Sequence, residues 1–169
     1  VIRHDVNVNY RSTNEITIFT NAMLRQKSKN KAVLSIPFER KGETPKLIQA
    51  SSKTRMYEQI VKDIRAYNSQ GIRNIGIIVK KYSEVEETYK NLSGITDAHF
   101  SCTLTRDDEF SYEGGNLIIP VDLSKGIEFE AVMVVNADRK NYDSEVDYDG
   151  RLLYVAISRA LHGLSIYSD

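Results

Sequence analysis

Three short polar islands carry the groups in this sequence that could do chemistry: Tyr10-Arg11, Ser124–Glu130 and Ser158-Arg159. Each adjoins an apolar run, and two of the three bring a guanidinium. That group is always charged, and its planar fork binds phosphate oxygens in pairs and opposes charge that builds during phosphoryl transfer. Arg159 is the most pointed case. It lies at i+3 from Ala156 and i+7 from Leu152, on a row where a buried helix would carry another aliphatic. A charge left unpaired there is expensive, so an anion is expected to meet it. The competing expectation is an arginine that snorkels to a nearby carboxylate. Tyr10, directly before Arg11, offers a ring able to stack on a base.

Other chemistries lack their residues. No Gly-x-x-x-x-Gly-Lys-Ser/Thr occurs, so the chain alone cannot cradle a nucleotide's phosphates and magnesium. Ser124 and Ser158 have no histidine at a spacing that suggests a nucleophilic triad. His4, His99 and His162 are scattered and Cys102 is the single cysteine, so neither a metal site nor a disulfide framework is expected. Asp107-Asp108-Glu109 reads as a solvated turn. With 23 basic and 23 acidic residues, no overall field draws the chain to nucleic acid, and any such contact must be local. The sequence has no signal peptide and no run able to span a bilayer, so a cytoplasmic domain without a membrane partner is expected. It opens on a strand pattern without an initiator methionine, as an excised piece of a larger protein would.

The elements that must position these groups alternate along the chain. Val1–Asn9 predicts a strand, and Ser12 with Glu15 a capping box opening a helix with Ile16, Phe19, Met23 and Leu24 inward. Tyr10 and Arg11 would then occupy a strand-to-helix junction, where open α/β sheets bind ligands. An irregular connection with Pro37, Gly42 and Pro45 leads to a strand at Lys46–Ala50 and a helix carrying Met56, Ile60, Ile64 and Tyr67. Asn74–Val79 is a nearly continuous apolar run, expected of a central parallel strand. Ser83 and Glu86 predict a second capping box, before a helix with Val85, Tyr89 and Leu92 inward. Strands follow at Thr96–Leu104, Leu117–Val121 and Ala131–Asn136, then a solvated acidic loop to Asp149, the Arg159 helix, and a strand at Leu164–Tyr167. The alternation predicts one three-layer αβα domain over residues 1–169, with a mainly parallel sheet.

Asn9–Thr13, Ser124-Lys125-Gly126-Ile127-Glu128-Phe129-Glu130 and Leu152–Ala160 resemble, in order, motifs IV, V and VI of the UvrD/Rep-like superfamily 1 helicases. The resemblance implies the second RecA-like domain of such a motor, which lacks its own phosphate loop. It implies that Tyr10 stacks on adenine, Arg11 reaches the γ-phosphate, and Glu128 with Gly126 nearby holds the ribose or nucleotide edge. Arg159 would be the arginine finger. The implied cofactor is ATP, with Mg2+ held by a phosphate-loop domain of the same protein, and the implied track is DNA.

Two departures narrow the group. The interval between Arg11 and Ser124 is too short for the large inserted domain of UvrD and Rep. Pro120-Val121-Asp122-Leu123 stands where those proteins have a nucleic-acid-contacting Thr-x-His, which puts strand contact there in doubt. The short interval, Pro37–Pro45 and Leu152–Ala156 look most like the HelD group, whose members are RNA polymerase-associated ATPases and helicases. A polymerase-binding module using ATP as a switch is therefore the alternative, and a stand-alone sugar- or nucleotide-binding α/β protein is a third reading.

Overall fold

A computed structural model describes residues 8–27, 34–102, 112–143 and 145–169. Six parallel strands form its centre, in the order β3-β8-β7-β4-β6-β5. These are β3 (Lys46–Gln49), β4 (Ile75–Val79), β5 (Phe100–Cys102), β6 (Asn116–Pro120), β7 (Phe129–Val134) and β8 (Ala160–Ser168). The continuous apolar runs lie in the middle: Ile77 of β4 pairs with Ile118 of β6 on one side and Met133 of β7 on the other, all fully buried. Strands covered on both faces need no polar alternation, and these have none.

Helix α2 (Lys53–Ser69) and helix α3 (Tyr82–Ser93) cover one face, packing Met56, Ile60, Ile64, Val85 and Leu92 on Ile75, Ile77 and Val79. Helix α1 (Asn14–Lys27) and helix α4 (Asp147–Ile157) cover the other, where Ile16, Leu152 and Ala156 meet Ile78, Val132, Val134 and Leu164. The expected three-layer architecture is therefore present. The first predicted strand is not part of this sheet. Within the described residues it is β1 (Val8–Asn9), paired in parallel with β2 (Ile36–Pro37) as a separate two-stranded ribbon.

Local expectations failed where a better partner lay elsewhere in the chain. Ser12 does not cap α1, because its hydroxyl donates to the carbonyl of Ala160 at 2.8 Å, and Glu15 accepts from the Gly42 amide at 2.7 Å. The second capping interaction is shifted: Glu84, not Glu86, accepts from the Lys81 amide, while Glu86 pairs with Lys90. Thr88 replaces Tyr89 on the buried face of α3. The acidic loop before α4 is only partly solvated. Tyr142 is buried, and Asp149 forms a 2.6 Å ion pair with Lys80, the two side chains 11% and 13% exposed. Cys102 sits in β5 as a small strand residue, and burial pushes its thiol up to about 11. Asp107-Asp108-Glu109 lies outside the described residues.

Candidate functional site

Strands β7 and β8 are paired with Phe129 opposite Ala160, and the Phe129 amide donates to the Arg159 carbonyl at 3.0 Å. Glu128 and Arg159 are therefore the residues immediately before two adjacent strands. A bulge between Phe129 and Ala131 marks this end of the pair. The chain enters β7 through a tight turn in which the Ile127 amide donates to the Ser124 carbonyl at 3.1 Å. Lys125 at φ −62°, ψ 126° and Gly126 at φ +85° give it the type II form, which requires a positive φ at its third residue. Gly126 is thus demanded by the backbone whatever binds beside it. The buried Ser124 hydroxyl donates to the Val121 carbonyl at 2.7 Å and anchors the turn.

The first island docks on the same end of the sheet. The Asn9 side-chain oxygen accepts from the amides of Arg11 (3.0 Å) and Ser12 (3.2 Å), bending the chain at Tyr10. Ser12 then bonds Ala160, and the Thr13 amide donates to Leu161 at 3.1 Å, fixing this corner against the start of β8. From there Arg11 donates through Nη1 to Glu128 Oε1 at 2.6 Å. Tyr10 projects with 59% of its surface exposed, its ring 4.9 Å from that of Phe38.

Arg159 lies just past the last residue of α4, half-buried. Its Nε donates to the Val155 carbonyl at 3.2 Å and its Nη2 to the Ser158 hydroxyl at 3.0 Å. It forms no ion pair with an acid among the described residues. The guanidinium is held by the helix's negative end, where cations are favoured. The two arginines differ here. Arg11 is engaged by a carboxylate, although an exposed one, whereas Arg159 has only neutral acceptors among the described residues.

The structure thus gathers Arg11, Glu128 and the Arg159 backbone at one end of the sheet, with Tyr10 and Gly126 in the adjoining segments. That end is formed by the starts of β7 and β8; Tyr10 and Arg11 do lie between a strand and a helix, β1 and α1, as expected, but β1 belongs to the separate ribbon and not to this sheet. A cleft of about 780 Å³ does occupy the carboxyl rim, lined by residues such as Lys53, Lys81, Glu84, Asn136 and Arg139. None of the five predicted site residues lines it.

Residues 117–167 match the UvrD-like helicase C-terminal domain. The matched stretch contains Gly126, Glu128 and Arg159 but stops short of Tyr10 and Arg11, which reach it through the contacts just described. The C-terminal domain of a possible DNA helicase from Lactobacillus plantarum WCFS1 superposes with a TM-score of 0.73 at 28% identity, over 95% of this chain and 88% of that one. This likeness identifies the α/β architecture as that of a helicase C-terminal, RecA-like domain. More remote is an arterivirus helicase, nonstructural protein 10, solved with DNA: TM-score 0.47, 15% identity, 74% of this chain and 28% of that one. No curated protein matches the chain.

Sequence reasoning missed three neighbours of the first island. Phe38 packs on Tyr10, Arg40 donates to the Arg11 carbonyl at 3.1 Å, and the ring nitrogens of His162 lie 3.1 Å from Arg40 Nη2. A neutral ring nitrogen accepts from a guanidinium, and burial, helped by the Arg40 charge, holds His162 below its ordinary range. The only signal in the sequence was an aromatic and an arginine inside a Pro- and Gly-marked connection.

Proposed function

We propose that this chain is the C-terminal RecA-like half of an ATP-driven superfamily 1 motor that works on DNA. Its Tyr10, Arg11, Glu128 and Arg159 would complete an ATP site whose phosphate loop and Mg2+ belong to a second domain of the same protein. The observation that carries the reading is the meeting of three sequence-distant islands at the starts of β7 and β8, with Arg159 free of any acidic partner among the described residues. The match over residues 117–167 and the likeness to a possible DNA helicase support the same reading.

In this scheme the chain's own groups have distinct tasks. Tyr10 offers a ring to the adenine. Arg11 exchanges Glu128 for a phosphate oxygen, a substitution made easy because the Arg11–Glu128 pair is exposed to water and contributes little on its own. Arg159 leaves the neutral acceptors at the end of α4 and opposes the negative charge of phosphoryl transfer, so its contribution falls on the transition state. Domain closure would deliver these groups, and reopening after hydrolysis would move the DNA. The residues between Arg11 and Ser124 include β3 to β6 of the central sheet, and this short interval supports placement in the HelD-like group.

The test is ATP turnover by the full-length protein. Arg159→Ala is expected to lower kcat by about three orders of magnitude or more, as loss of an arginine finger does, with ATP affinity within a few-fold of wild type. Turnover near the wild-type rate would remove Arg159 from the chemistry.

A further inference from the structure

The segment Phe38–Gly42 is fastened to Tyr10–Glu15 by contacts that the scheme above does not use. The Phe38 and Tyr10 rings meet at 4.9 Å with their planes inclined by 50°. Arg40 donates to the Arg11 carbonyl, and its own carbonyl accepts from the Asn14 amide at 2.7 Å, one of the amides at the start of α1 that the helix itself leaves unpaired. The Gly42 amide donates to Glu15, and a Cβ on Gly42 would come within 2.4 Å of the Thr13 side chain, so this approach needs a glycine. A tight turn, in which the Arg40 amide donates to the Phe38 carbonyl at 2.6 Å, joins the two residues. Arg40 is held in turn by His162 on β8, so the brace ends on the strand that follows Arg159.

Packing alone does not explain the ring pair. Phe38 remains 47% exposed and Tyr10 59%, so together they leave an aromatic surface open beside the paired Arg11. An apolar ring kept half in water adds little to the core. Placed against another ring, however, it restricts where that ring can turn.

We propose that Phe38 and Arg40 are positioning residues for the nucleobase end of the site. Phe38 sets the plane of the Tyr10 ring and leaves one face for a base, and Arg40 fixes the Tyr10-Arg11 backbone from below. The inference rests on the nucleotide reading above and adds to it the part of the site that selects a base over a bare phosphate chain.

The experiment compares Phe38→Ala, Phe38→Tyr, Arg40→Ala and Tyr10→Ala in the full-length protein. It measures ADP binding, competition by inorganic tripolyphosphate, and the kcat and KM for ATP. Phe38→Ala is expected to weaken ADP binding and raise KM by about three- to tenfold, the range lost with one aromatic contact. Tripolyphosphate affinity and kcat should hold, and Phe38→Tyr should restore KM. Arg40→Ala should raise KM in the same direction. If Tyr10→Ala weakens ADP binding and Phe38→Ala does not, the positioning role is wrong while the nucleotide reading stands. Equal loss of ADP and tripolyphosphate in Phe38→Ala would mean general damage and would also overturn it. If Tyr10→Ala itself leaves ADP binding unchanged, the nucleotide reading fails, and this inference with it.

Discussion

Two ion pairs of the same length, 2.6 Å, have opposite meanings here because one is open to water and the other is nearly buried. Arg11–Glu128 is exposed on both sides, and such pairs are worth about 0.2–1 kcal/mol. Glu128→Gln should therefore leave thermal stability almost unchanged while altering nucleotide binding. Lys80–Asp149 is nearly buried, with the Lys80 ammonium also bonded to the Asn141 carbonyl and 5.4 Å from the Tyr142 ring centroid. Asp149→Asn strands that ammonium without its counter-charge, and removing one partner of a buried pair costs about 3–5 kcal/mol. Thermal melts of the two variants make the comparison, and equal shifts would contradict it. What could be read at this scale beforehand was that Arg159 stands out beside an apolar run; the helical row it was expected to share with Leu152 and Ala156 does not form, because α4 ends at Ile157 and leaves the guanidinium beyond the helix. That Arg11 would close on Glu128 could not be read, because the two stand 117 residues apart and nothing local links them.

At the scale of elements, the site depends on how closely β4 and β7 approach. A Cβ on Gly76 would lie 2.5 Å from the Phe129 ring, so Gly76 is the space that ring occupies. Gly76→Ala forces the ring to move, and overpacking of this kind costs about 1–3 kcal/mol. Phe129 also donates to Arg159 and follows Glu128, so the same change should lower turnover in the full-length protein. Adding Phe129→Leu to Gly76→Ala should recover part of the lost stability. A double variant no better than the single one would show that the ring is not the obstacle. The strands themselves were legible because β4, β6 and β7, almost wholly buried, are nearly pure apolar runs. The helix starts were less so. Ser12 and Ser83 have the right spacing for caps, but Ser12 found the Ala160 carbonyl and Glu84 the Lys81 amide, and sequence spacing alone does not rank such competitors.

The whole molecule has a core and, on the reading proposed above, one half of a shared ATP site. Both faces of the sheet are covered by continuous apolar clusters, which predicts that the isolated domain folds and melts cooperatively. It should show no ATP turnover alone, and gain it only when the phosphate-loop domain is supplied. Turnover by the isolated domain in a stopped-time phosphate assay would refute the shared site. The fold class was readable from the alternation of strands and helices. The end of the sheet that carries the site was not, because β1 pairs with β2 apart from the main sheet and takes Tyr10 and Arg11 with it.

Among the described residues all the strand pairings are parallel, so no hairpin there can start the sheet, and each neighbour is reached by a crossover. Such topologies refold slowly, on the order of milliseconds to seconds. The crossover from β7 through α4 to β8 is local and is expected to bring Glu128 beside Arg159 early. The N-terminal corner can arrive only once β8 is there to receive Ser12 and Thr13, which makes Arg11 a late arrival.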